Sequence, residues 1–317
     1  MALKEPFMVK ANYNLGAGES FTLTADTGES LLIKDIFVMG ESAKYCVVSI
    51  DRDTVGFFRL NAHPLSRHLL GPYKSDNIEY SSLASIRSKT LLSLMINKGY
   101  FAGYPIAEGQ KFVVSPYPST AYLGKVMVVY EKYDAGDIKK EDINGSEAKE
   151  YVYVAYGRIS EEVKTAGDYV YDTIINPEEF SDFPFERECP AKTKMEVLGI
   201  TGWEVESVAD GSNYTYTKYL KIFKGRKLLF DDDKNGIPCY QTHVSDEAGH
   251  YGGRGFSLLG LYTPKDYRLP LIFDTPVSFS SGEELRLVLN VSNTGSGSVI
   301  DEEYSEVGLI LRAKIME

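Results

Sequence analysis

Asp231-Asp232-Asp233-Lys234-Asn235-Gly236 places oxygen ligands at alternate positions ahead of a glycine, as at the opening of a calcium-binding loop. Asp231, Asp233 and Asn235 would be the ligands, since calcium is a hard cation that takes carboxylate and amide oxygens. The carboxylate that closes such a loop belongs six residues after the glycine, and Thr242 stands there. The segment follows Lys227-Leu228-Leu229-Phe230, which reads as a strand and not as a helix. A strand running into Asn-Gly has the chemistry of a β-turn, because both residues tolerate positive φ. A turn is therefore the first expectation and a calcium site the competing one. No other cofactor is implied.

His243 and His250 lie near Cys239, and His63 and His68 lie in a corresponding stretch of the first half. Imidazole and thiolate bind zinc, but these spacings match no standard ligand set, and surface loop histidines are expected. Gly249-His250-Tyr251-Gly252-Gly253-Arg254-Gly255 lacks the Gly-Lys-Ser/Thr of a phosphate loop and opens no helix, so it reads as a flexible loop suited to contact. Gly-x-Ser-x-Gly occurs nowhere, and no catalytic Ser/His/Asp order stands out, so no enzyme is expected. Tyr73, Tyr80, His250 and Tyr251 are the candidate loop contacts.

These residues must be carried by some framework, and the composition bounds it. The chain has 317 residues, 43% hydrophobic and 25% charged, with 23 Tyr, 15 Phe and a single Trp. That is an ordinary globular composition, long enough for two domains, and its aromatic, Gly and Pro content suits β structure. Residues 1–149 hold 17 Lys+Arg against 17 Asp+Glu, and residues 150–317 hold 17 against 28, so the whole net charge of −11 falls on the second half. A surface of that sign repels nucleic acid and anionic membranes. Cys46, Cys189 and Cys239 form no disulfide framework, and Cys46 sits in an apolar run that suggests a buried free thiol. No run reaches the ~20 apolar residues of a membrane span. The first residues do not read as a signal peptide, so synthesis in a cytoplasm is expected.

Short alternating runs predict strands at 20–24, 31–38, 45–50, 55–60, 91–96, 111–115 and 125–132. The first half then recurs in the second. Ala17-Gly18-Glu19-Ser20-Phe21-Thr22 returns as Ala166-Gly167-Asp168-Tyr169-Val170-Tyr171, and Lys44–Ile50 returns as Lys218–Lys224. Thr90–Leu94 returns as Ser257–Leu261, Pro105 with Gly109-Gln110 as Pro276 with Gly282-Glu283, and Gly124 with its apolar run as Gly308 with Leu309-Ile310-Leu311. The order is the same in both halves. Asp51-Arg52-Asp53 and Lys224-Gly225-Arg226 are equivalent tight turns. The repeat spans about 12–134 and 159–317, with insertions in the second copy near 176–190, 208–216 and 293–303. Leu32, Ile36, Val48 and Leu92 are expected in the first core, and Val197, Ile222 and Leu259 in the second.

The fold class that follows is all-β, with two tandem jelly-roll-like β-sandwich domains from an internal duplication. The domains are 1–134 and 151–317, joined by a polar linker at 135–150. An immunoglobulin-like sandwich fits the strand count as well, though the Cys…Trp…Cys pattern is absent. Two units in tandem, with short strands and long loops at equivalent places (61–89 and 231–255), resemble the double jelly-roll capsid proteins of icosahedral viruses. The resemblance implies a self-assembling virion or extracellular-particle protein with itself and other particle proteins as partners, trimers being typical of that family. The competing class is a non-catalytic carbohydrate- or surface-binding module using its Tyr-rich loops.

Overall fold

The computed structural model describes residues 3–39, 43, 45–59, 91–138, 150–163, 165–176, 187–202, 215–230, 235–243, 253–258, 271–294 and 306–315. The chain forms two compact units, one built on Met1–Val154 and the other on Ala155–Thr263 with Arg268–Leu311.

The first unit contains β1 (Leu3–Ala17), β2 (Phe21–Thr24), β3 (Glu29–Met39), β4 (Tyr45–Ile50), β5 (Asp53–Arg59), a short helix α1 (Leu91–Asn97), β6 (Tyr104–Ile106), β7 (Lys111–Tyr117) and β8 (Tyr122–Asp134). They make two antiparallel four-stranded sheets, β1-β8-β3-β6 and β2-β7-β4-β5. Strand pairing of 1-8-3-6 and 2-7-4-5 is the order of a jelly roll, in which successive strands alternate between two facing sheets except at the hairpin of strands 4 and 5. Ile33, Ile36, Val126 and Val128 of one sheet are buried, as are Val48, Phe57, Phe112 and Val114 of the other. Tyr104 and Phe112 join the two sheets through rings 5.8 Å apart.

The second unit contains β9 (Glu150–Arg158), β10 (Gly167–Val170), β11 (Thr173–Ile174), β12 (Arg187–Glu188), β13 (Thr193–Gly202), β14 (Thr215–Lys224), β15 (Lys227–Leu228), β16 (Ile237–His243), β17 (Gly253–Leu258), β18 (Leu271–Phe279), β19 (Glu284–Thr294) and β20 (Val307–Ile315). Its sheets run β11-β9-β20-β13-β18 and β10-β19-β14-β16-β17, with β12 and β15 as short additions on β19 and β14. Setting β11, β12, β15 and β17 aside, the remaining eight strands are ordered 1-8-3-6 and 2-7-4-5 again. The two units are jelly rolls of one topology.

Their turns repeat bond for bond. Gly109 N–H donates to Ala25 O at 2.9 Å and Ala25 N–H to Gln110 O at 3.1 Å; Gly282 N–H donates to Cys189 O at 2.9 Å and Cys189 N–H to Glu283 O at 2.8 Å. Gln110 N–H reaches Ala107 O at 3.0 Å, and Glu283 N–H reaches Ser280 O at 2.9 Å. Asp51 N–H reaches Lys111 O at 2.7 Å, and Gly225 N–H reaches Glu284 O at 2.8 Å. The predicted tight turns are two-residue hairpin loops, Ile50 pairing with Asp53 and Lys224 with Lys227. Four of the five sequence correspondences thus fall on equivalent strands: β2 with β10, β4 with β14, β6–β7 with β18–β19, and β8 with β20.

The fifth does not. Residues 91–96 are not a strand but lie in α1, whose buried residues Leu91, Leu92 and Met95 follow helical spacing, whereas 257–258 lie in β17. A short apolar run carries too little periodicity to separate the two conformations. Leu92 is buried as expected, in a helix. Ile36, Val48, Val197 and Ile222 are also buried, and Leu259 lies outside the described residues. Leu32 is only half-buried. The register of β3 on β8 shifts between Ile33 and Asp35, so Leu31 and Ile33 point inward before the bulge and Ile36 and Val38 after it. A bulge switches the face of every residue beyond it, which a strict alternation cannot anticipate.

Candidate assembly surface

Among the described residues β1 is the longest strand, at 15 residues, and stands at the end of its sheet with β8 as its one strand partner. Cross-strand partners share a face. Lys10 and Asn12 are opposite Val128 and Val126, whose side chains enter the core; Val9 and Ala11 are opposite Val129 and Met127 on the outward face. The polar side chains are tied back to their own unit. Lys4 Nζ meets Asp134 Oδ1 at 2.8 Å and Gly28 O at 3.1 Å, and Lys10 Nζ donates to Thr22 O at 3.2 Å. The apolar ones are left in solvent, with Phe7 67% and Tyr13 61% exposed and Leu3 and Val9 nearly half exposed. Edge strands are ordinarily blunted by shortness or by outward charge. β1 is long and presents hydrophobic residues instead. Sequence reasoning missed it because three register shifts break its alternation.

Charged clusters lie elsewhere. On β10, β14 and β19 the Asp168 carboxylate receives Lys221 Nζ at 2.6 Å and Asn290 Nδ2 at 2.6 Å. Partial burial pushes Asp168 upward, but these two donors outweigh it and hold the carboxyl below its usual range. Arg158 pairs at 3.1 Å with the fully buried Glu306 carboxylate, joining β9 to the start of β20. Both clusters bind strands together. Cys46 and Cys189 are buried free thiols, and burial pushes both above the ordinary thiol value.

The turn at 109–110 and its twin at 282–283 differ in chemistry. In the first unit Gln110 is buried, takes Ala107 N–H on Oε1 at 3.0 Å and donates to Asp51 Oδ2 at 3.0 Å. In the second, Glu283 takes Ser280 N–H at 2.7 Å and pairs with Lys224 Nζ at 2.9 Å. The Ser280 N–H first, and then Lys224, hold the Glu283 carboxyl below its usual range.

Of the residues singled out in the sequence, Asn235 is exposed just before β16, while Asp231 and Asp233 lie outside the described residues, as do Tyr73, Tyr80, His250 and Tyr251. Leu228 is opposite Phe223, Leu229 N–H donates to Ile222 O, and Ile237 is opposite Leu220, so one-to-one pairing with β14 is broken between Leu229 and Ile237. The corresponding strand β5 of the first unit runs through with one bulge. At the start of this break Phe230 is 48% exposed at φ 65°, its ring 4.9 Å from that of Phe273. Gly236 closes it at φ 113°, where a Cβ would come 2.8 Å from Leu220 O. Among the described residues no group of three or more His, Cys, Asp and Glu could hold a metal, and no helix is long and apolar enough to cross a membrane.

No family model matches the sequence, and no curated protein matches it. Among solved structures, the chain is similar to the major capsid protein P2 from Bacteriophage PM2, at 10% identity and a TM-score of 0.36, covering 98% of each chain. It is also similar to PBCV-1 VP54, in a crystal structure fitted into a cryo-EM reconstruction of the virophage Sputnik, at 10% identity and a TM-score of 0.32, covering 100% of this chain and 96% of that one.

Proposed function

We propose that the chain is a non-catalytic structural protein of a virion or another extracellular particle, assembling with itself and with other particle proteins. The observation that carries this reading is the jelly roll built twice in one chain with the same strand order. Two like units in tandem offer the same kind of sheet face twice in one chain, and closed assemblies need self-complementary surfaces. Three copies would supply six jelly rolls, which makes a trimer the proposed building block. The acidic second half would face away from nucleic acid. Negative-stain microscopy of the purified chain tests the reading: tiles, rings or tubes are expected, and dispersed monomers at high concentration would reject it.

A second reading, a carbohydrate-binding module, is favoured by one observation. Phe230 is held outward at a backbone angle that bulky residues rarely adopt, against the ring of Phe273. An exposed aromatic platform can stack a sugar ring. Dispersed monomers that bind a neutral oligosaccharide, and lose it on Phe230→Ala, would establish that alternative.

A further inference from the structure

We infer that β1 is a self-contact: the outward face of its Phe7–Tyr13 stretch meets the same face of a second copy of this chain across a two-fold axis. The inference rests on the particle reading above and names the surface and the partner that assembly would use there.

Self-complementarity points to this occupant. Among the described residues the exposed large hydrophobics are Leu3, Phe7, Val9, Tyr13, Tyr122 and Phe230. Five of the six lie on β1 or on its neighbour β8. An apolar row needs an apolar partner, and the described surface offers one of comparable extent, which is this row on another copy. A contact that uses the same patch on both partners is isologous and closes as a pair.

Charge agrees. Residues 150–317 carry 28 acidic against 17 basic residues, so a like-with-like contact through that half would oppose negative surfaces. Residues 1–149 are balanced at 17 and 17, and there self-contact meets no net repulsion. The strand is also held ready for docking. Lys4 and Lys10, the lysines that would guard an edge, are spent on Asp134, Gly28 and Thr22 of their own unit.

Size sets the strength. The seven residues Phe7–Tyr13 at ~3.3 Å each span about 23 Å, and two strands are about 10 Å wide. That offers roughly 230 Å² on each partner, well short of the ~800 Å² per side of a standard stable interface. One such contact is weak alone and becomes secure by repetition in a particle. A two-fold contact of this kind would link building blocks, and so is compatible with a trimer formed through other surfaces.

Sedimentation velocity on the full chain over a concentration series tests this. The wild type is expected to self-associate, and Phe7→Ser with Tyr13→Ser to weaken the association about tenfold or more, as loss of central aromatic anchors does. Phe230→Ser, in the other unit, should leave it unchanged. Both β1 side chains are exposed, and an unaltered melting curve checks that the variant folds. A charge swap gives an independent arm. Val9→Glu and Val9→Lys should each weaken the pair, and mixing the two should restore it, because the two-fold brings the outward row of one copy, Val9 included, against the same row of the other. Wild-type assembly that survives both β1 variants overturns this inference and leaves the particle reading standing. A wild type that stays monomeric throughout overturns both.

Discussion

Phe112 on β7 and Leu285 on β19 occupy one place in the two jelly rolls, two residues beyond the twin positions Gln110 and Glu283. Both are fully buried. Phe112 pairs in register with Leu23 of β2 and Ile50 of β4, and its ring meets Tyr104 from the opposite sheet. Truncation to alanine removes about 1.5–3 kcal/mol of transfer free energy. It also leaves a cavity, which brings the usual cost of Phe→Ala to about 3–5 kcal/mol. Loss of the ring pair with Tyr104 places Phe112→Ala in the upper part of that range. For a unit of this size each kcal/mol lowers the melting temperature by about 2–4 °C, so a drop of roughly 8–20 °C is expected by circular dichroism. Hydrogen exchange should then quicken in β2, β4 and β7. Leu285→Ala, at about 2–5 kcal/mol, should quicken it in β14 and β19 instead. A Phe112→Ala protein that melts within ~2 °C of the wild type would show that β7 does not fill the sandwich, and the strand order argued above would fall with it.

Glu283→Gln puts the amide of the first unit into the second. Because the Glu283 carboxyl is lowered, its contribution is present above the ordinary carboxylate pKa of about 4.3 and is lost as pH falls through the lowered value. The variant should be less stable at neutral pH, with the gap closing in acid; a gap constant with pH rejects the pairing with Lys224. Gly236→Ala should cost about 1–3 kcal/mol, because φ of 113° is strained for any side chain and the new Cβ would crowd Leu220 O. Gly225→Ala, at φ 56° with open space around it, should cost less in the same melt, about 1 kcal/mol. Calcium and a chelator should give the same melting curve if 231–236 is only a turn. A rise with calcium that disappears in Asp231→Ala with Asp233→Ala would make it a metal site.

The duplication was legible in the sequence because it resides in local chemistry. A turn needing positive φ at Gly109 and Gly282, or a two-residue loop at Asp51 and Gly225, leaves its mark in neighbouring residues wherever it recurs. Regular strands such as β4, with its tight turn into β5, could be read with their boundaries for the same reason. Two kinds of feature were not legible. The bulge at Ile33–Asp35, the helical state of Leu91–Asn97 and the break between Leu229 and Ile237 are settled by which distant strand each residue meets, and nothing nearby in the chain encodes that partner. The character of β1 is the clearest instance. Its Phe, Val and Tyr residues suit a buried strand as well as an exposed one. Only the placement of β1 at the end of the β1-β8-β3-β6 sheet, with Lys4 and Lys10 tied to Asp134 and Thr22, leaves those side chains in water. Composition supplied the hydrophobic residues, and the tertiary arrangement decided that they form a surface and not a core, because burial depends on what stands opposite a side chain once the sheets have closed.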